Sequence, residues 1–211
     1  MNEQKTRMPE PLAQDFERLS EDVVWLHARW TLYKQLFAVS QERVNLLNRT
    51  ADELFYTIQQ VLWDDLILTI CKLFDRPQDG GKKNLVLAGL MSHLNSDKYK
   101  SLKEKLQSLM DSFMDDKEKK LEPFRHQRNK RIAHRDYPTA FSSTAFPITV
   151  EMVESVLADI RNCLNMVQDH FDGHTTAYEH YYNRRVVDGL FIALKNTMAY
   201  EDELKRSKGK I

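Results

Sequence analysis

The chain has 211 residues, enough for one domain with a real core or for one domain carrying helical additions. Charged residues make up 29% and apolar residues 42%, with six Gly and six Pro; this composition suits a helical globule and excludes disordered and collagen-like classes. The 31 basic residues balance the 31 acidic ones, which disfavours a protein that coats nucleic acid by bulk charge, so any RNA contact must come from a local patch.

Leu12, Phe16, Leu19, Val23, Leu26, Trp30, Tyr33 and Phe37 recur at spacings of three and four and predict a long first helix, with a possible break near Trp30. Ser40 suits an N-cap for the next helix, with Glu42 in its first turn where the helix dipole favours an acid. That helix should reach about Phe74 and stop before Pro77. RPQDGGKK (76–83) reads as a loop, after which Asn84 can cap a short helix through Leu94. Tyr99, Leu102, Leu106, Leu109 and Phe113 mark a further helix, and another starts before Leu121 and reaches about Arg135. A loop over 137–147 leads to a helix carrying Val153, Leu157, Ile160, Leu164, Val167 and Phe171, which ends at Gly173. Val187, Leu190, Leu194 and Met198 give a last helix, roughly 181–205, before a basic tail expected to fray. No β-type alternation of any length and no internal repeat is visible, so the expectation is an all-α bundle forming a single domain over 1–211, with its core at about 25–172.

Cys71 and Cys163 lie in apolar stretches without metal-like spacing and read as reduced core residues of a cytoplasmic protein. The opening MNEQKTRMPEPLAQ lacks the apolar centre of a secretory signal, and the apolar runs are too short to span a bilayer, so no membrane partner is expected.

The segment FRHQRNKRIAHR (124–135) holds Arg125, Arg128, Lys130, Arg131 and Arg135, two histidines and no acid. The apolar stripe set by Leu121 and Phe124 continues through Arg128 and then Arg131 or Ile132, so arginines fall where earlier turns present apolar side chains. An arginine aimed at a neighbouring helix needs an anion, either a carboxylate or a phosphate. On charge alone the segment also reads as a solvated basic helix end, favourable at the negative end of the dipole.

Arg128 followed by Asn129, with His134 six positions after the Arg, resembles the R-x4-6-H motif of HEPN ribonucleases. RNKRIAHRD (128–136), SQERVNLLNRTADELFY (40–56), DDLILTICKLFD (64–75) and GGKKNL (80–85) are similar to the AbiU-type branch, which is associated with abortive-infection phage defence. The resemblance covers roughly 25–170 and implies a HEPN-like bundle of about four core helices plus terminal additions. It also implies a homodimer whose two motifs line one composite cleft, RNA as substrate, and a possible antitoxin or regulatory protein as partner. On an ideal α-helix Arg128 and His134 lie about 120° apart, so a dimer cleft or a distorted helix end is needed to bring them to one site.

RNA can be cleaved by its own 2′-hydroxyl without metal or other cofactor. His134, with an unperturbed pKa of about 6.5, suits the proton transfers. Arg128 would hold the phosphate and Asn129 orient the phosphate or His134, with Arg131 as the reserve clamp. Arg125, Lys130 and Arg135 would add RNA contacts; Arg131 and Arg135 should lower the pKa of His134 and Asp136 partly restore it. Asp65 occupies the apolar stripe set by Val44, Leu47, Ala51, Leu54, Ile58, Val61 and Leu68, and so calls for a partner. It reads as a core ion pair or helix-to-helix hydrogen bond, or else it, or Asp64, pairs with Arg128 or Arg131 and positions the site.

GGKKN lacks the order and the preceding strand of a phosphate-cradling loop. His170, Asp172 and His174 read as a surface helix end rather than a metal site, and His126 as either an auxiliary RNA contact or an exposed side chain. The Tyr and Trp residues fall mostly on stripe positions and read as core. Three functions compete: a metal-independent endoribonuclease, a noncatalytic HEPN-like module binding RNA or protein, and a structural helical dimer.

Overall fold

A computed structural model describes residues 7–114, 120–132, 147–183, 185 and 187–208. The first helix, α1 (Glu10–Tyr33), buries Leu12, Leu19, Val23, Leu26 and Trp30 on one face, as its spacing requires. It does not break at Trp30 but widens after Tyr33 into a π turn, Lys34–Ala38. Ser40 then caps α2 (Gln41–Leu73), its hydroxyl accepting from the Arg43 amide at 3.3 Å, with Glu42 in the first turn.

Helix α2 is kinked at Ala51 (φ −162°, ψ 72°) and meets two packing environments along its length. Its C-terminal half places Leu66, Ile67, Ile70, Cys71 and Leu73 in the main core, while Leu46, Leu47 and Phe55 join a smaller cluster with Leu36, Val187 and Phe191. The stripe expected over 44–68 is therefore not all inward: Leu54 and Val61 are exposed, and Asp65 is half-buried beside Arg29. The exposed pair lies seven residues apart on one face of the helix.

After α2 the chain makes a two-residue antiparallel hairpin, β1 (Gln78–Asp79) with β2 (Lys82–Lys83). Gly80 and Gly81 both take positive φ (54° and 80°), which a side chain would strain. Asn84 closes this hairpin instead of capping the next helix: its side-chain amide donates to the Arg76 carbonyl at 2.8 Å and its backbone N–H to the Pro77 carbonyl at 2.9 Å. The following helix is of 3₁₀ type, Leu87–His93, and has no side-chain cap.

A second short 3₁₀ turn, Asp97–Tyr99, leads into α3 (Lys100–Met114), which contributes Leu102, Leu106, Met110 and Phe113 to the main core. The short α4 (Glu122–Gln127) runs directly into a π turn, Arg128–Ile132, the last described part of the helix expected to reach Arg135. Helix α5 (Val150–Asp172) is capped by the Thr149 hydroxyl, which accepts from the Met152 amide at 3.3 Å, and ends at Gly173 in the left-handed conformation (φ 66°). Its stripe from Val153 to Phe171 lies at the centre of the main core. Helix α6 (Asp188–Lys208) packs Phe191 into the smaller cluster and carries Lys205, Arg206 and Lys208 as helix, where a frayed tail was expected. Arg43 of α2 ties this helix down through Asp188 at 2.8 Å and lies over the Phe191 ring. The fold is an all-α bundle, and among the described residues the hairpin is the only β-structure. None of the described helices is long and apolar enough to cross a membrane.

Polar groups inside the bundle are few. Glu154 accepts from the Trp30 indole at 2.8 Å and also pairs with Lys34, while the Ser20 and Tyr178 hydroxyls bond at 3.1 Å. His27 is buried, and its Nε2 has no hydrogen-bond partner among the described residues. Burial, followed by the Arg161 charge, pushes its imidazole down to about 4 from 6.5.

Two consequences can be measured. The unfolded chain takes up a proton on His27 below about pH 6.5 and the folded chain does not until about 4, so stability falls as pH drops through that window. The full loss is about 3 kcal/mol, and urea unfolding of His27→Gln should show a correspondingly shallower acid dependence. Phe124, fully buried, anchors α4; Phe124→Ala should cost about 3–5 kcal/mol in the same assay, and a cost below about 1 kcal/mol would contradict that anchoring role.

Candidate functional site

Helix α4 is only six residues long and cannot persist by propensity alone. Leu121 and Phe124 hold it by burial in the main core, and Ile132 packs against the same core at the end of the π turn. These apolar anchors place the intervening Arg128 half-buried against the C-terminal end of α2. Arg128 thus meets an anion, as its position on the stripe required. That anion is Asp75: Arg128 Nη1 lies 2.7 Å from Asp75 Oδ1. Arg128 Nε donates to Asn129 Oδ1 at 2.9 Å, so two groups fix the plane of the guanidinium.

One turn earlier, Arg125 Nη2 donates to the Phe74 carbonyl at 3.3 Å, satisfying an acceptor that the end of α2 leaves open. Asn129, Lys130 and Arg131 are exposed on the π turn. A π turn advances less per residue than the 100° of an α-helix, so the expected helix distortion begins at Arg128 itself. His134, Arg135 and Asp136 lie outside the described residues.

Asp65 stands elsewhere. Arg29 Nε lies 2.6 Å from Asp65 Oδ2, an ion-pair contact without the angle of a hydrogen bond, and Arg29 Nη2 donates to Thr69 Oγ1 at 3.3 Å. Of the two readings of Asp65, the helix-to-helix ion pair is the one found, α1 with α2; it does not pair with Arg128, beside which stands Asp75, ten residues on. Burial raises the carboxyl of the neighbouring Asp64, which makes no ion pair with Arg128. An acid at the negative end of a long helix is unfavourable unless a cation faces it, so the sequence marked Asp75 as needing a cation without naming which one.

Around this ion pair opens a cavity of about 330 Å³, lined by Phe74, Asp75, Arg76, Ala88, Phe113 and Arg128 among others. Phe74 and Phe113 form its apolar wall, their rings tilted with centroids 4.4 Å apart. Cys71, buried one turn before Asp75, has its thiol pushed up to about 11 by burial, which the nearby Arg128 charge only partly opposes. It is therefore a protonated packing group and not a nucleophile. Cys71 and Cys163 are both buried free thiols, and no metal-holding group of His, Cys, Asp or Glu occurs among the described residues. His170 packs edge-on against Tyr99 and Phe171.

Asp75 is 40% exposed and solvent screens the pair, so Asp75→Asn should cost at most about 1 kcal/mol of stability. Its expected effect is local: the Arg128 Nη1 proton signals in NMR should lose their exchange protection while α4 stays helical. Unchanged protection in Asp75→Asn would contradict a guanidinium held from this side.

No curated protein and no solved structure matches the chain. The AbiU2 family of HEPN proteins does, over residues 9–190, from the start of α1 into α6. That span includes both walls of the cavity, the basic turn and the segment around His134. The chain therefore belongs to the AbiU2 family of the HEPN superfamily.

Proposed function

We propose that the protein is a metal-independent endoribonuclease of the abortive-infection type, cleaving RNA with Arg128, Asn129 and His134. The observation that carries this reading is Arg128, fixed in plane by Asp75 and Asn129 at the rim of a cavity and followed by a run of exposed cations. A guanidinium held in this way is preorganised for a phosphate rather than left to search for one.

The chemistry needs no group beyond the chain itself. A base takes the proton of the RNA 2′-hydroxyl, the 2′-oxygen bonds to the adjacent phosphorus, and the bond from phosphorus to the 5′-oxygen breaks. A proton delivered to that oxygen completes a 5′-hydroxyl product, and the other fragment carries a 2′,3′-cyclic phosphate. His134 is the group suited to move these protons, and Arg128 offsets charge as it develops on the phosphorane oxygens. Lys130, Arg131, Arg125 and Arg135 would guide the strand.

A homodimer would supply two such segments to one cleft. Leu54 and Val61 on one face of α2, with Ile192 and Leu204 on α6, offer exposed apolar surface for it. The proposed setting is cytoplasmic, and an antitoxin or regulatory protein would restrain the activity.

The test is cleavage of a mixed RNA pool in EDTA by wild type, His134→Ala and Arg128→Ala. Wild type should yield 2′,3′-cyclic ends, His134→Ala should be inactive with its helical content intact, and Arg128→Ala should lose both affinity and rate. Affinity should also fall steeply with salt, through counterion release. RNA binding that follows this salt dependence without cleavage by any variant would instead mark a noncatalytic RNA-binding module.

A further inference from the structure

The cavity beside Arg128 has features that a phosphate clamp does not require. Its floor is apolar and aromatic, built from Phe74, Phe113 and Met110, which are buried against the main core. Its rim carries Arg76, Arg125 and Arg128, and a carboxylate, Asp75, stands among them. A site for a bare anion would not place a carboxylate in its wall or two phenyl rings at its base. A purely apolar ligand would leave the cations and the carboxylate desolvated without partners. A nucleotide has the matching pattern, with a flat π-face for the rings, a polar base edge for the carboxylate and a phosphate for the arginines.

Size narrows the choice further. At about 330 Å³ the cavity lies at the small end of the range for ligand clefts, with room for one base and not for a stretch of strand. We infer that this cavity is a nucleobase subsite, receiving a base turned out of the strand next to the phosphate on Arg128, with guanine preferred. As part of an RNA substrate it rests on the ribonuclease reading above; as a nucleotide pocket it can be tested separately. Guanine is preferred because its Watson–Crick edge presents two adjacent N–H donors. Asp75 keeps acceptor capacity while holding Arg128, since an ionised carboxylate offers more lone pairs than one arginine uses. Uracil offers the same carboxylate a single N–H donor flanked by two carbonyl oxygens, and so a weaker match. Ala88, on the 3₁₀ helix across the cavity, is the small residue that leaves the space open.

The experiment is calorimetric titration of the full chain with guanosine 5′-monophosphate, uridine 5′-monophosphate and inorganic phosphate at low salt. Guanosine monophosphate should bind about tenfold or more tighter than either competitor, in keeping with what base stacking contributes. Ala88→Phe fills the cavity and should lose about tenfold or more of that affinity; Ala88→Leu replaces it if circular dichroism shows misfolding. Asp75→Asn should narrow the preference for guanosine over uridine monophosphate. Equal binding of all three ligands would overturn the inference, as would full guanosine monophosphate affinity in a folded cavity-filling variant. RNA cleavage by wild type without guanosine monophosphate binding would end the subsite and leave the ribonuclease standing. Nucleotide binding lost on filling the cavity, in a protein that cleaves no RNA, would support the subsite and end the ribonuclease reading.

Discussion

The ion pair between Asp75 and Arg128 joins the end of the longest helix to the basic segment, and the geometry of the site depends on it. Helix α2 finishes with an acid where its own dipole is negative and where its last carbonyls lack partners. Both problems are met from α4: Arg128 faces the Asp75 carboxylate, and Arg125 donates to the Phe74 carbonyl. The basic segment is therefore more than a solvated surface. Two of its arginines serve the end of α2, and the exposed cations that follow on the π turn are presented from that fixed base.

Holding a six-residue helix in place takes more than one half-exposed ion pair. Leu121 and Phe124 below Arg128 and Ile132 beyond it are the apolar groups that fix the segment to the main core, where α1, α2, α3 and α5 meet. The π turn begins at Arg128, between these two anchorages, so the backbone widens where the candidate clamp projects. The cavity follows from the same arrangement. The hairpin after α2 turns at Gly80 and Gly81, closes through Asn84, and returns the chain as the 3₁₀ helix that brings Ala88 opposite Phe74 and Phe113.

Most of the helical order was legible because the apolar spacing of α1, α3 and α5 is regular, and because Ser40 marks the start of α2 and Gly173 the end of α5. Where the structure departed from expectation, tertiary contacts or local turn chemistry overrode pattern. Asn84 could serve either as a cap or as a hairpin clasp, and only the fold of 76–83 decides between them. Leu54 and Val61 fit the helical stripe but face outward, while Phe55, Ile58 and Leu62 of the same stretch pack into the smaller cluster. Trp25 and Tyr181 are exposed, exceptions to the expectation that Tyr and Trp residues lie mostly in the core. Within the site, Arg128's need for an anion was readable from its position on an apolar stripe. The identity of that anion was not: Asp65 lies on the stripe of α2 and Asp75 at its end, and only the approach of α4 to the helix terminus selects the latter. The cavity is built from four segments separated in sequence, so no local pattern could announce it.

On the proposed function, RNA engages the protein at the junction of α2 and the basic turn. Photocrosslinking of the full chain to an RNA carrying a photoreactive base, followed by peptide mapping, tests it most directly. Adducts are expected within 74–77, 110–113 and 124–131, weakened by competing guanosine monophosphate. Adducts confined to another surface, such as the exposed aromatic face around Trp25 and Tyr181, would contradict it.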